Sequence, residues 1–321
     1  MKFLITGGAG FIGSNYCHYV VEKYKDDYFV CLDALTYAAD INNIKELFDR
    51  PNFKFICENI CNKEEIDKIF ASEKFDYVIN FAAESHVDNS ISNPDIFYQT
   101  NVLGTLTLLE CSVKYNIKRF HQVSTDEVYG ELKLEDTDLM FTENYQLYPS
   151  SPYSASKAAA DLMVLAFNKT YNLSVTISRC SNNYGPYQNV EKLIPKTIFN
   201  AINNKDIPIY GNGLNVRDWI YVKDHCIAVD LIVRKSRDKM VYNIGGGNEK
   251  TNIDLVKSIL KTLDKDESLI KFVSDRLGHD LRYAIDSSLL RKDLGWIPQY
   301  SFDEGMKETI NWYKNICQKI K

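Results

Sequence analysis

No stretch of this 321-residue chain is apolar over a membrane-spanning length, which excludes an integral helical membrane protein. There is no C-x-x-C pair, and the eight cysteines, at 17, 31, 57, 61, 111, 180, 226 and 317, follow no framework spacing. Cys57-x-x-x-Cys61 has neither a second pair nor a nearby histidine, so no zinc site, and no metal at all, is expected. The cysteines sit mostly in apolar runs and read as buried free thiols of a reducing compartment. Internal repeats, low-complexity tracts and basic clusters are missing as well. The net charge is −5 with lysines interspersed among acids, so neither a nucleic acid nor a membrane is an expected partner. The chain opens on a core strand rather than a signal peptide, and the expectation is a cytoplasmic protein.

What is there is an ordinary globular composition, 45% hydrophobic and 25% charged, on a chain long enough for two lobes. Strand patterns at 2–6, 28–32, 53–57, 76–81, 117–123 and 173–178 alternate with helical ones, which predicts an α/β fold with a doubly wound parallel sheet. After about residue 180 the alternation weakens, and loops rich in Gly, Pro and Asn at 182–189 and 208–215 mark a smaller α+β lobe.

The strand Phe3-Leu4-Ile5 runs into Gly7-Gly8-Ala9-Gly10-Phe11-Ile12-Gly13 and then into a helical pattern. Glycines at 7, 10 and 13 are a spacing variant of the dinucleotide fingerprint: one for the tight turn, one for approach of the pyrophosphate, one for helix-on-strand packing. The second strand ends at Asp33, twenty residues beyond Gly13. A carboxylate there binds ribose hydroxyls and repels a 2′-phosphate, so NAD is expected over NADP. The expected division is 1–178 plus about 217–246 for NAD, and about 179–216 plus 247–321 for a substrate, with the ligand between them.

Ser124-Thr125-Asp126-Glu127 lies where the strand at 117–123 ends, and Tyr153 and Lys157 lie one turn apart on the helix opened by Pro152. A lysine ammonium beside the phenol is expected to lower the Tyr153 pKa. Hydride transfer at an alcohol needs one base; two further carboxylates at the same site point to redox chemistry coupled to an elimination. The simpler reading of Asp126-Glu127 is a helix cap and a first-turn acid, and it stays open.

Nearly the whole chain resembles the nucleotide-sugar 4,6-dehydratases of the extended short-chain dehydrogenase/reductase superfamily. The resemblance rests on TGGAGFIGSN at 6–15, DALTY at 33–37, AAESHVDNSI at 82–91, STDEVYG at 124–130, YSASK at 153–157, SNNYGPYQ at 181–188, KLIPK at 192–196, VRDWIYVKDH at 216–225 and DRLGHDLRYAID at 275–286. Thr-Asp-Glu is its specific element, because related 4-epimerases usually carry a small or hydroxyl residue there. The resemblance implies dehydration of dTDP-glucose or UDP-glucose to the 4-keto-6-deoxy sugar. In it Tyr153 is base at the 4-hydroxyl, Lys157 its partner, Glu127 base at C5 and Asp126 acid at C6, with Thr125 on the substrate. It implies that NAD is held by Gly7, Gly10, Phe11, Ile12, Gly13, Asp33, Asn59, Ile60, Ala82, Ala83, Ser85, Thr100, Tyr153, Lys157 and Asn183. The sugar nucleotide falls to Ser85, Thr125, Asn182, Lys192, Leu193, Pro208, Tyr210, Arg217, Asn252, Arg276, His279 and Asp280. Arg217 and Arg276 suit a diphosphate; the bland alternative is a surface ion pair with Asp218 or Asp275.

This chain departs from the family pattern at Asn59, where an Asp usually meets the adenine, at Asn89 for Arg, and at Leu277 and Leu281 for Pro and Arg; the loop from Glu131 to Tyr148 is also short. Thymidine and uridine nucleotides both stay open. The competing functions are a sugar-nucleotide 4-epimerase and a non-catalytic NAD-binding regulator. A homodimer through helices near 95–115 and 152–170 is expected from the resemblance.

Overall fold

The computed structural model describes residues 1–275 and 278–320. The six expected strands form, with ends displaced by at most two residues: β1 (Lys2–Thr6), β2 (Tyr28–Asp33), β3 (Phe53–Cys57), β4 (Tyr77–Asn80), β5 (Arg119–Thr125) and β6 (Val175–Cys180). Between them run α1 (Phe11–Lys23), α2 (Lys63–Glu73), α3 (Val87–Ser92), α4 (Pro94–Phe97), α5 (Thr105–Lys114) and α6 (Pro152–Tyr171). The chain continues through β7 (Asn182–Tyr184), α7 (Leu193–Ile202), β8 (Ile207–Tyr210), β9 (Val216–Tyr221) and α8 (Val222–Lys235). Then come β10 (Met240–Ile244), β11 (Glu249–Thr251), α9 (Asn252–Thr262) and β12 (Ile270–Val273).

The large sheet is ordered β10-β6-β5-β4-β1-β2-β3 and is parallel throughout. Strand alternation sorts its side chains into two cores. Phe3, Ile5, Phe29 and Cys31 join Tyr16 and Val20 of α1 and Val229 and Ile232 of α8. Leu4, Val30 and Leu32 point the other way, onto Ile66 and Phe70 of α2, Leu108 and Leu109 of α5 and Val164 of α6. Both faces are covered, as a parallel sheet requires. Winding reverses between β1 and β4, so a crevice opens at the carboxyl ends of those strands.

Six cysteines are buried, but Cys57 is exposed and Cys61 half-buried. The expectation of buried thiols fails for these two because they close the edge strand β3 and its turn, where no neighbouring strand covers them.

Two small sheets, β11-β9-β7 and β12-β8, stand apart from the large one. The segment 280–286 is threaded between β9 and the loop 131–148. Val216 N donates to Leu281 O (2.8 Å), Leu132 N to Arg282 O (3.0 Å) and Phe141 N to Ala284 O (2.9 Å). The Arg282 guanidinium grips both oxygens of Glu249 (2.6 and 2.8 Å) and the carbonyls of Asp136 (2.9 Å), Leu139 (3.0 Å) and Thr137 (3.2 Å). The loop that follows Asp126-Glu127 is thereby stapled to the C-terminal third of the chain.

Candidate active site

A cleft of about 300 Å³ lies at the carboxyl ends of β1, β2, β4, β5 and β6. Gly7, Gly10, Phe11, Ile12, Gly13, Asp33, Asn59, Ile60, Ala82, Ala83, Ser85, Thr100, Tyr153, Lys157 and Asn183 all line it, together with Thr125, Asp126, Glu127, Asn182 and Lys192.

The three loop glycines serve different needs. A Cβ on Gly7 (φ +68°) would stand 2.6 Å from Ala82 N, and one on Gly13 would stand 2.2 Å from Gly7 O, so packing within the protein forbids side chains there. At Gly10 a Cβ would meet only Gly7 O, at 3.3 Å; its bareness leaves room on the cleft side. Gly10 is also the cap of α1, with no side-chain cap and no acid in the first turn, so the helix N-terminus is left to attract an anion. Asp33 accepts from Ala9 N (2.9 Å) and Leu35 N (2.8 Å), tying the loop to the end of β2. Burial pushes its carboxyl up, and these amide donors oppose the rise. The Asn59 carbonyl oxygen accepts from Cys61 N (2.9 Å), which leaves the amide NH₂ for a ligand.

A capping box starts α6: Ser154 N donates to Ser151 Oγ (3.1 Å) and Ser151 N to Ser154 Oγ (3.0 Å), with Pro152 in the first turn. Tyr153 and Lys157 are thereby turned inward and buried. Asn101, in a π-helical stretch (Tyr98–Gly104), joins α6 to the cleft wall by donating to Ser156 Oγ (2.8 Å) and Glu84 O (3.0 Å). Lys157 does not lower the phenol as expected. Its Nζ donates to Val123 O (2.7 Å), while burial and the charge of Glu127 hold the Tyr153 hydroxyl well above its ordinary value. Burial in turn lowers Lys157, opposed by Asp161.

Asp126 and Glu127 do open a short 3₁₀ turn, Asp126–Tyr129, but the cap is Thr125, whose Oγ1 accepts from Glu127 N (3.3 Å). Asp126 is 2% exposed, and its Oδ2 has no hydrogen-bond partner among the described residues. Burial first, then the charges of Glu127 and Asp218, push its carboxyl well above the ordinary range. The folded state therefore holds a proton that the unfolded chain releases near 3.8, and stability falls as pH rises from that value up to the raised folded pKa. Asp126→Asn should flatten this dependence and melt higher than the parent at neutral pH; a pH series of thermal melts with parallel slopes for the two proteins would contradict it.

Leu193, Pro208, Tyr210, Arg217, Asn252, His279 and Asp280, also expected on the substrate, are not among the residues that line the cleft. Leu193 opens α7 and packs into the core, and Pro208 pairs with Lys271. The exposed Tyr210 donates to Asp88 (3.2 Å) and meets the His279 ring edge-on at 6.2 Å, while His279 is paired with Asp275 (2.6 Å). Asn252 begins α9 with its N–H on Asn215 O (3.0 Å). Arg217 is buried rather than in a surface ion pair. It donates to Asp280 O and Val216 O (both 2.8 Å) and stacks on Tyr283 at 4.3 Å. Asp280 accepts from Ser150 (2.5 Å) and from the Tyr283 hydroxyl. The group still abuts the acids: Arg217 pulls Asp126 down and Glu127 pushes Tyr283 up. Arg276 and Leu277 lie outside the described residues.

Sequence reasoning missed Glu84, Cys180, Gln188 and Glu191, all of which line the cleft, as well as Tyr283 beside it. The Ser124 and Gln188 side-chain oxygens are buried without partners among the described residues. Glu84, Gln188 and Tyr283 lie within the motifs named above, Cys180 and Glu191 directly beside one, and that adjacency was the available signal. Among the described residues no three His, Cys, Asp or Glu side chains gather as metal ligands, and no helix is long and apolar enough to cross a membrane.

The family model for GDP-mannose 4,6 dehydratase matches residues 4–309. The chain belongs to that family. It is 47% identical to the dTDP-glucose 4,6-dehydratase of Escherichia coli, over 98% of this chain and 94% of that one. The family's crystal structure of dTDP-glucose 4,6-dehydratase from Bacillus anthracis, in complex with NAD, superposes with a TM-score of 0.91 at 48% identity, over 98% and 97% of the two chains. The UDP-glucose 4-epimerase of Thermotoga maritima, with UDP-glucose, also reaches 0.91, but at 30% identity over 99% and 100%.

Proposed function

We propose that this protein is an NAD-dependent lyase that converts a nucleoside-diphosphate glucose, dTDP-glucose or UDP-glucose, to the 4-keto-6-deoxy sugar and water. The observation that carries the reading is a buried Asp126, its carboxyl pushed well above the ordinary range, adjoining Glu127 in the same cleft as Tyr153, Lys157 and a bare glycine cradle. An epimerase has no use for an acid at C6. The cradle fits a dinucleotide: Gly10 leaves space at the uncapped end of α1, and Asp33 stands fixed at the end of β2 with lone pairs left for ribose hydroxyls.

Held by the glycine cradle and Asp33, NAD⁺ would supply the acceptor for hydride from C4 and the donor of hydride to C6. Tyr153 receives the 4-hydroxyl proton in its phenolate form, and Thr125, held at the turn, hydrogen-bonds the same oxygen. The new carbonyl acidifies C5–H, and Glu127 removes that proton and gives it back to C5 as hydride arrives at C6. Asp126 gives its proton to the departing C6 hydroxyl, so water leaves between two carboxyl groups in opposite protonation states. Lys192, whose Nζ donates to Ser85 O (3.1 Å), and Asn182 stand at the sugar end of the cleft. Arg217, Asn252, Arg276, His279 and Asp280 would take the rest of the sugar nucleotide, with Arg217 and Arg276 on its diphosphate. The two lobes would be those expected, 1–178 plus about 217–246 and about 179–216 plus 247–321. Incubation with dTDP-glucose and UDP-glucose should give a product lighter by one water; a product epimeric at C4 with its C6 hydroxyl intact would overturn the reading.

A homodimer through α6 belongs to the same proposal. Ala155, Ala159, Leu162 and Ala166 form an outward stripe without charge, and Leu162 is 59% exposed beside Ile96 (41%) and Tyr98 (55%). Leu162→Arg should shift the protein to monomer by light scattering; an unchanged mass would remove this face as the interface.

A further inference from the structure

Behind the cleft lies a buried charged pair that the chemistry above does not use. Arg179 on β6 and Asp161 on α6 have side chains 4% and 0% exposed, and Arg179 Nε donates to Asp161 Oδ2 at 2.9 Å. Desolvating two ions is costly, and a pair of this kind is a weak contributor to net stability. Its connections give it a role. Arg179 Nη1 donates to the Tyr129 hydroxyl (2.9 Å), which donates in turn to Asn243 Oδ1 (2.8 Å) on β10. The guanidinium also lies over the Tyr129 ring, 4.9 Å from its centre. Tyr129 ends the same 3₁₀ turn that begins with Asp126 and Glu127. Asp161 stands one helical turn beyond Lys157 and two beyond Tyr153.

We propose that the Arg179–Asp161 pair is a positioning clamp that, through the Tyr129 hydroxyl, fixes the carboxyl turn of Asp126 and Glu127 relative to the Tyr153/Lys157 helix. One side of the clamp holds the groups that oxidise C4, the other the groups that expel the C6 hydroxyl, and no other buried ion pair among the described residues joins the two. Burial pushes the Tyr129 hydroxyl up to about 12, so it stays a donor throughout the working range. Its ring is independently fixed by stacking on Phe141 at 5.1 Å, so removal of the hydroxyl leaves the packing in place. Positional error at a reacting centre is expensive in rate: about 1 Å costs on the order of a hundredfold. Loosening the turn alone therefore slows water loss more than it slows oxidation.

The proposal rests on the dehydratase reading, and the test separates the two. Parent, Tyr129→Phe and Arg179→Lys holoenzymes are mixed with dTDP-glucose or UDP-glucose, following absorbance of the reduced cofactor, product mass and thermal melting. A parent that releases no water ends the dehydratase reading itself. With an active parent, Tyr129→Phe should keep KM within about twofold, lose about tenfold or more in kcat, and accumulate reduced-cofactor absorbance during turnover. Arg179→Lys keeps the charge against Asp161 but loses the fork to Tyr129, and should show the same accumulation. A Tyr129→Phe enzyme with parental kcat and only a lower melting temperature overturns the clamp. So does one in which oxidation and water loss slow by equal factors. If Arg179→Lys fails to fold, the Tyr129→Phe result decides alone.

Discussion

Glu127→Gln should lose on the order of 10²–10⁴-fold in water release, the usual share of a positioned general base, while the first oxidation persists. The amide is isosteric and cannot take the C5 proton, so the sugar stops at its 4-keto form and the absorbance of the reduced cofactor stays high. A second consequence follows from the geometry. The charge of Glu127 is among the causes that hold the Tyr153 hydroxyl up. Its removal makes the phenol more acidic, so the pH at which oxidation rises should move downward. Stopped-flow absorbance across a pH series, with product mass, checks both. Dehydration at the parental rate would remove Glu127 from its role, and an unmoved pH profile would show that its charge does not reach Tyr153.

Tyr153→Phe should strike the earlier event. Without the hydroxyl the proposed base for the alcohol proton is gone, and Lys157 Nζ already donates to Val123 O. A loss of about 10²–10⁴-fold in formation of the reduced cofactor is expected, with substrate affinity little changed. Glu127 and Asp126 remain but never receive an acidified C5–H. The two variants thus differ in kind: one accumulates reduced cofactor, the other never makes it. Equal oxidation rates in Tyr153→Phe and parent would assign the base elsewhere.

The legible parts of this molecule were those whose logic is local in the chain. β1, β2 and β5 are short apolar runs ending in chemistry-bearing residues, and the cradle, Asp33, the acid pair and the Tyr153/Lys157 turn each follow a strand or begin a helix. β10 escaped because Met240–Ile244 carries Asn243 in its middle, a residue whose value lies in its bond to Tyr129 across 114 positions of sequence. The lowered Tyr153 pKa was a pairwise argument, and it failed because desolvation, invisible in one dimension, outweighs one neighbour. The hydrogen bonds of Arg217, His279 and Asp280 were not legible either, because no motif spacing announces them.

The staple at Arg282 bears on any attempt to retarget this scaffold to another nucleoside. Chimeras that import a foreign 275–286 segment would bring in an arginine fork shaped for someone else's carbonyls, while leaving the native 131–148 loop with Asp136, Thr137 and Leu139 unanswered. The two stretches should be grafted as one cassette, with Glu249 as the third piece.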